Sequence, residues 1–143
     1  MQQETSQITF YERCARPLLQ SCLKGYNATI FAYGQTGSGK SHTILGGDGE
    51  NEGIIPRSIS DLFVRLNDMK RDTEEETFEY EVRVQFLEIY GQELRDLLRN
   101  PDSSSKLERP SKLLIRDGRG AKAEPQVIGA VEQRIFSADE GMK

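Results

Sequence analysis

The sequence predicts an α/β fold in which a sheet is flanked by helices, and three features carry that prediction. The run "ATIFAY" (Ala28–Tyr33) is continuously apolar and rich in strand formers, which suits a strand covered on both faces. A glycine-rich turn, "GQTGSGK" (Gly34–Lys40), follows it directly. Apolar residues with helical spacing lie on both sides of this strand and turn.

Length and charge bound the reading. A chain of 143 residues can form one domain with a real core but hardly two. Its content of 36% hydrophobic and 29% charged residues suits a soluble globular protein. No stretch approaches the roughly 20 apolar residues of a membrane span, so no membrane contact is expected. The opening "MQQETSQITF" lacks the basic and apolar regions of a signal peptide. A net charge of -4 argues against general nucleic-acid affinity.

The elements follow in order. Tyr11, Cys14, Ala15, Leu18, Leu19, Cys22 and Leu23 share one helical face, with Gly25 as the stop. Pro17 should kink this helix or mark its effective start. Cys14 and Cys22 would stand about 12 Å apart along it, too far for a disulfide, and both read as reduced core residues of a cytosolic protein. With His42 as the only histidine, metal binding through the cysteines is disfavoured. After the strand and the glycine turn, a short helix is expected over Ser41–Leu45, then a loop over Gly46–Gly53. A second helix should begin near Pro56 and bury Ile59, Leu62, Phe63, Leu66 and Met69.

Beyond the acidic turn "RDTEEE", Phe78, Tyr80, Val82, Val84 and Phe86 alternate with polar residues, a strand with one wet face. "EIYGQELRDLL" reads as a short helical turn packing Leu94, Leu97 and Leu98. "NPDSSSKLERPS" reads as a surface loop, and "KLLIRDG" and "PQVIGAVEQRI" as two short strands. Ser137 and Glu140 form a capping-box pattern, so a helix is expected to begin as the sequence ends.

Gly34, Gly39, Lys40 and Ser41 fit G-x-x-x-x-G-K-[ST], the phosphate-binding loop. A chance match is expected on the order of once in a few hundred chains of this length, and the strand before it and helix after it tighten the reading. Glycines let successive N–H groups face phosphate oxygens without Cβ clashes. The helix N-terminus at Ser41 adds partial positive charge. Lys40 would reach the β- and γ-phosphates, and the Ser41 hydroxyl would ligate Mg²⁺. The fold class is therefore that of a P-loop NTPase.

"GYNATIFAYGQTGSGKSHT" resembles the kinesin motor domain, whose loop reads GQTGSGKTHT. "GIIPR" (Gly53–Arg57) and "VQFLEIYGQELRDLL" (Val84–Leu98) agree with it too, the latter with the family's V-S-F-L-E-I-Y-N-E-E-L-R-D-L-L. All three lie in the expected order, and the resemblance runs from about Phe10 to the last residue. "SKLLIRDGRG" and "FLEIYGQEL" lean toward the chromosome-associated kinesin-4 group. The resemblance implies ATP or ADP as ligand, Mg²⁺ as cofactor, and hydrolysis stimulated by microtubules in the cytoplasm. It implies that Gly34, Gln35, Thr36, Gly37, Ser38, Gly39, Lys40 and Ser41 hold the phosphates and metal. His42 matches a position beside the adenine and ribose; a plain surface histidine in the first helical turn is the alternative. Ser41 stands where threonine is more usual, and both carry the required hydroxyl. For the full-length protein the resemblance allows a coiled-coil dimer.

Kinesins sense the γ-phosphate with N-x-x-S-S-R-S-H and D-x-x-G-[ST]-E loops, and neither pattern occurs here. "SSSK" (Ser103–Lys106) lacks the arginine and histidine of the first. "DGRG" (Asp117–Gly120) satisfies D-x-x-G, but no Ser/Thr-Glu follows, and a hairpin turn is the plainer reading. "RCARP" (Arg13–Pro17) has the wrong spacing for the family's adenine-side R-x-R-P. Residues 1–143 are thus expected to be a partial motor domain, with the phosphate loop at 34–41, both switch loops missing and unpaired sheet edges. Such a piece is expected to bind nucleotide weakly at most and not to hydrolyse it alone.

Between Lys106 and Lys122, six basic residues face two acidic ones. A solvated loop is the plainer reading. The alternative places Arg116, Arg119 and Lys122 toward acidic tubulin, by a salt-dependent attraction. Two further readings stand beside the motor: a truncated nucleotide- or tubulin-binding module without turnover, and an unrelated P-loop kinase or small NTPase.

Overall fold

Ser6 opens the first helix by accepting the Thr9 N–H at 3.3 Å, the hydrogen bond of an N-cap. The computed structural model describes residues 5–72, 78–99, 113–116 and 126–142. Within it α1 (Gln7–Phe10) runs into a π-helical turn (Tyr11–Ala15) and then α2 (Arg16–Leu23). In that turn the Arg16 N–H bonds the Tyr11 carbonyl, five residues back. Pro17 has no N–H, and its ring would press on the carbonyl four residues before it. The wider turn falls where that pressure arises, so the helix passes through Pro17 rather than starting there. It ends as a Schellman motif: Gly25, at φ 92°, donates to Cys22 O at 2.9 Å and Tyr26 to Ser21 O at 3.1 Å.

The π turn also corrects the expected helical face. Tyr11 and Ala15, four apart, are buried at 6% and 1% exposure. Cys14 and Cys22 are free thiols on the exposed side, not core residues. A turn closed over five residues rotates the third residue off a face that the fourth still shares.

Tyr11, Ala15 and Ile54 form the core of this first unit, with Phe10 and Ile44 packed against them. Ile54 opens α4 (Ile54–Asp72), two residues before the expected start, and α4 buries Phe63 and Leu66. Tyr80 meets Phe63 edge-on at 6.5 Å and donates its hydroxyl to Asn67 Oδ1 at 3.0 Å. The unit comprises the residues up to Tyr80 and those from Ser137 onward. Its last helix, α5 (Ala138–Gly141), starts as the capping pattern requires, with the Ser137 side chain accepting the Glu140 N–H at 3.3 Å.

Asp61 ties α4 to the first helix. It accepts from the Tyr11 hydroxyl at 3.0 Å and from Arg65 Nε at 3.0 Å, with Arg16 Nε 3.6 Å away. Burial, and next the Asp61 carboxylate, push the Tyr11 phenol from 10.0 up to about 12. The folded state therefore holds this proton more tightly than the unfolded state. The linked stability is complete below pH 10 and is lost as pH rises toward 12. Tyr11→Phe should cost about 1 kcal/mol at neutral pH and remove this part of the alkaline fall, as read by denaturant unfolding between pH 9 and 12.

Among the described residues, the second unit, Glu81–Phe136, holds three antiparallel pairs. β1 (Val82–Val84) pairs with β6 (Gln133–Ile135), setting Val82 opposite Ile135, which is buried at 2% exposure. The expected alternation persists from Phe78 to Gln85 as half-buried and exposed residues, but only three of these residues form a ladder. β4 (Leu114–Arg116) pairs with β5 (Gln126–Ile128), while "PQVIGAVEQRI", expected as one strand, is broken after Ile128 at Gly129, φ 88°, so that its second half is β6.

"EIYGQELRDLL" is a hairpin and not a helical turn: β2 (Leu87–Tyr90) pairs with β3 (Glu93–Asp96). Gly91, at φ 61°, takes the first position of the two-residue turn, where type II′ geometry calls for glycine. Asp96 then stitches the hairpin down, accepting from the N–H groups of Leu98 at 3.0 Å and Val131 at 2.7 Å.

Ala28–Tyr33 departs most from expectation. No strand among the described residues pairs with it, and Phe31 and Tyr33 are 87% and 92% exposed. A parallel strand exists through its neighbours' hydrogen bonds, and here the apolar run has none to join. Residues 73–77, 100–112 and 117–125, with the loop and turns expected there, lie outside the described residues.

Candidate phosphate-binding site

The turn after Tyr33 is shaped by three glycines with positive φ: Gly34 at 155°, Gly37 at 81° and Gly39 at 89°. A Cβ on Gly34 would stand 2.4 Å from Ser38 Oγ, so any side chain there would displace Ser38. At Gly37 and Gly39 the space is open, and the left-handed backbone alone selects glycine. Ser38 N–H closes the turn on Gln35 O at 3.2 Å.

Lys40 begins α3 (Lys40–Ile44) and folds back over this turn. Its ammonium donates to Gly34 O at 2.8 Å and Gln35 O at 2.7 Å. Thr43 N–H reaches Gly39 O at 2.9 Å, so the helical bonding starts from the last glycine. Gln35, Thr36, Ser38 and Ser41 are exposed and Lys40 is half-buried. A cleft of about 250 Å³ lies beside the turn, lined by Phe10, Phe31, Tyr33, Lys40, Ile44 and Ile54 among others.

α3 is short because the chain reverses after Leu45. Gly46, at φ 71°, bridges to Glu52, and Gly53 N–H bonds Leu45 O at 2.9 Å. The expected loop over Gly46–Gly53 is thus closed and contains a 3₁₀ turn, Gly49–Asn51. Arg57 fastens it from α4, with Nε on Glu52 O at 2.8 Å and Nη2 on Glu50 O at 2.8 Å. The sequence offered "GIIPR" as a block without revealing this task for its arginine.

His42 projects from the first turn of α3 and meets Gln7, the first residue of α1. Gln7 Nε2 lies 3.1 Å from His42 Nδ1 and 3.4 Å from Nε2, and donates to the His42 carbonyl at 2.5 Å. Sequence reasoning passed over Gln7, since a glutamine after an N-cap serine carries no signal of its own.

The residues fit a phosphate group and its metal. Open space beside Gly37 and Gly39 leaves the turn's N–H groups approachable, Lys40 supplies a positive charge, and Ser41 supplies an exposed hydroxyl. A donor set of this kind suits an anion. Arg116 ends β4, exposed and opposite Gln126, in the second unit. Arg119, Lys122 and the Asp117–Gly120 turn lie outside the described residues.

A family model described as the kinesin motor domain matches residues 1–143. Human kinesin-like protein KIF27 is 38% identical over 96% of this chain, and human kinesin-1 heavy chain is 39% identical over 99%. Kinesin-like protein klp-20 of Caenorhabditis elegans is 46% identical over 73%. The chain spans only 9%, 13% and 16% of these relatives' lengths. Identities this close between differently named relatives select no subgroup, and the expected lean toward the kinesin-4 group finds no support in them. A solved structure of a KIF14 dimer, in its two-heads-bound AMP-PNP state in complex with a microtubule, superposes with a TM-score of 0.78. The match is 35% identical and covers 95% of this chain and 35% of that one.

Proposed function

The chain belongs to the kinesin motor domain family, and from that premise we propose that it is the nucleotide-binding portion of a microtubule motor. In the complete protein this portion takes part in ATP hydrolysis that drives movement along microtubules, in the cytoplasm and on the cytoskeleton. The observation that carries the reading is the turn itself: Lys40 held over the carbonyls of Gly34 and Gln35, where α3 begins. The matched KIF14 structure, with AMP-PNP and a microtubule, supports the ligand and the partner.

The roles follow from the chemistry of each group. Gly34–Gly39 present backbone N–H groups to phosphate oxygens, and the glycines allow those oxygens close approach. Lys40 exchanges its carbonyl partners for phosphate oxygens, forming charge-assisted hydrogen bonds. The Ser41 hydroxyl would help hold Mg²⁺, which when bound would offset phosphate charge. His42 lies beside the base. Phosphoryl transfer depends on holding an aligned water, and the two loop patterns that do so in kinesins occur nowhere in these 143 residues. Of this piece alone we propose binding without turnover. Arg116, Arg119 and Lys122 would add a salt-dependent attraction to acidic tubulin, and the full-length protein would be a coiled-coil dimer.

Titration of the chain with ADP, with and without Mg²⁺, tests the metal-side role. Mg²⁺ should tighten binding to the wild type. Ser41→Ala should lose most of that tightening, and Ser41→Thr should keep it. Equal Mg²⁺ dependence in Ser41→Ala and wild type would remove Ser41 from the metal site.

A further inference from the structure

We propose that Gln7 is a positioning residue of the nucleotide site, which locks His42 and the first turn of α3 from the opposite helix and so tunes affinity for the base. The proposal rests on the reading of His42 as the base-side residue. A single amide makes three approaches to one residue: 3.1 Å to Nδ1, 3.4 Å to Nε2 and 2.5 Å to the carbonyl. One amide hydrogen is committed to the backbone and the other to the ring edge, so the imidazole cannot rotate about χ2 without losing a partner. No other hydrogen bond to the His42 side chain is recorded among the described residues.

Gln7 is itself held. It is the first residue of α1, fixed in place by the Ser6 cap on Thr9, and it is half-buried. Three residues on, Phe10 packs on the Tyr11, Ala15 and Ile54 core, as does Ile44 at the end of α3. α1 and α3 are therefore tied twice, by the apolar core they share at one end and by Gln7 at the other. The shared core sets their separation, and the amide sets the orientation of the ring. α3, with only 5 residues, is too short to hold a free side chain rigid by itself, whereas α1 continues into the π turn and α2 and gives Gln7 a firm base. Gln7 supplies the missing constraint without touching nucleotide. Holding the ring in one orientation spares nucleotide binding the cost of ordering it.

The test uses the whole chain and two readouts. His42 is the only histidine in the sequence, so its ring nitrogens give a single, unambiguous set of NMR signals. In Gln7→Ala these signals should move and broaden, while Gln7→Asn and Gln7→Met separate the lost amide from the lost volume. The second readout compares ADP with inorganic tripolyphosphate, which has no base. Loss of one hydrogen-bonded contact of about 1 kcal/mol corresponds to about fivefold in affinity. Gln7→Ala and His42→Ala should each weaken ADP by that factor, leave tripolyphosphate unchanged, and show little further loss when combined.

If His42→Ala weakens ADP and Gln7→Ala does not, the proposal is wrong and the base-side reading stands. If His42→Ala leaves ADP binding unchanged, the base-side reading fails and the tuning role fails with it. Unchanged histidine signals in Gln7→Ala overturn the proposal whatever the nucleotide data show. Equal weakening of tripolyphosphate would mean a general loss of structure, which also overturns it.

Discussion

Lys40→Ala should weaken ADP binding by about 10- to 150-fold, the equivalent of the 1.5–3 kcal/mol of a hydrogen bond to a charged group. The lysine is the one side-chain cation of the glycine turn, and its ammonium already sits at the carbonyls of Gly34 and Gln35. Alanine removes the charge and the bonds to both carbonyls. Gly34 and Gln35 are exposed residues, so water can replace the lost donor at small cost and the fold without nucleotide should melt as before. Lys40→Arg keeps the charge but carries a planar fork in place of a compact ammonium. It should recover only part of the affinity. An isothermal titration on the three proteins reads both effects, and a Lys40→Ala affinity within twofold of wild type would take the lysine out of the site.

Gly46→Ala should destabilise the first unit by about 3 kcal/mol, through left-handed backbone strain and overlap together. Gly46 sits at φ 71°, which costs any residue with a Cβ. The added atom would also fall 2.1 Å from Asn51 O and 2.3 Å from Gly53 N, both backbone atoms of the loop that reverses the chain. Neither can swing aside as a side chain would. The damage should be local at first, because the same reversal seats Gly53 against Ile44 and sets where α4 begins. Gly49→Ala is the contrast. Its φ of 60° carries the same backbone penalty, but nothing lies within 4 Å of its Cβ. The difference between the two variants in chemical denaturation isolates the overlap from the strain. Equal losses would mean that the loop relaxes freely.

The sequence was most legible where a local rule acts alone. The Gly25 stop, the Ser137 cap and the glycine turn before Lys40 each need only a few adjacent residues, and each stands as expected. Pattern failed where a competing constraint shifted the phase. The π turn before Pro17 moved Cys14 off the buried face. Gly91 turned "EIYGQELRDLL" into a hairpin, although Leu94, Leu97 and Leu98 also fit helical spacing. Ala28–Tyr33 has strand composition, but composition does not supply the neighbours that make a ladder.

The candidate site divides in the same way. Gly34 to Ser41 is a contiguous motif and could be read directly. Gln7 with His42, Arg57 with the Gly46–Gly53 loop, and Asp61 with Tyr11 are pairings across the fold. They depend on which helix faces which, and one-dimensional periodicity does not encode it. The Arg57 and Asp61 bonds hold the surroundings of the turn rather than the ligand, which is why no binding motif announces them.

Thermal unfolding of the wild-type chain with and without Mg·ADP tests the central claim most directly. Ligand at 100 times its Kd should stabilise the folded state by about 2.7 kcal/mol. For a domain of this size that corresponds to a rise in Tm of roughly 10 °C, increasing with the logarithm of ADP concentration. A cooperative transition that does not move at any ADP concentration would contradict the account, because the turn at Gly34–Ser41 would then be formed but unable to hold a nucleotide.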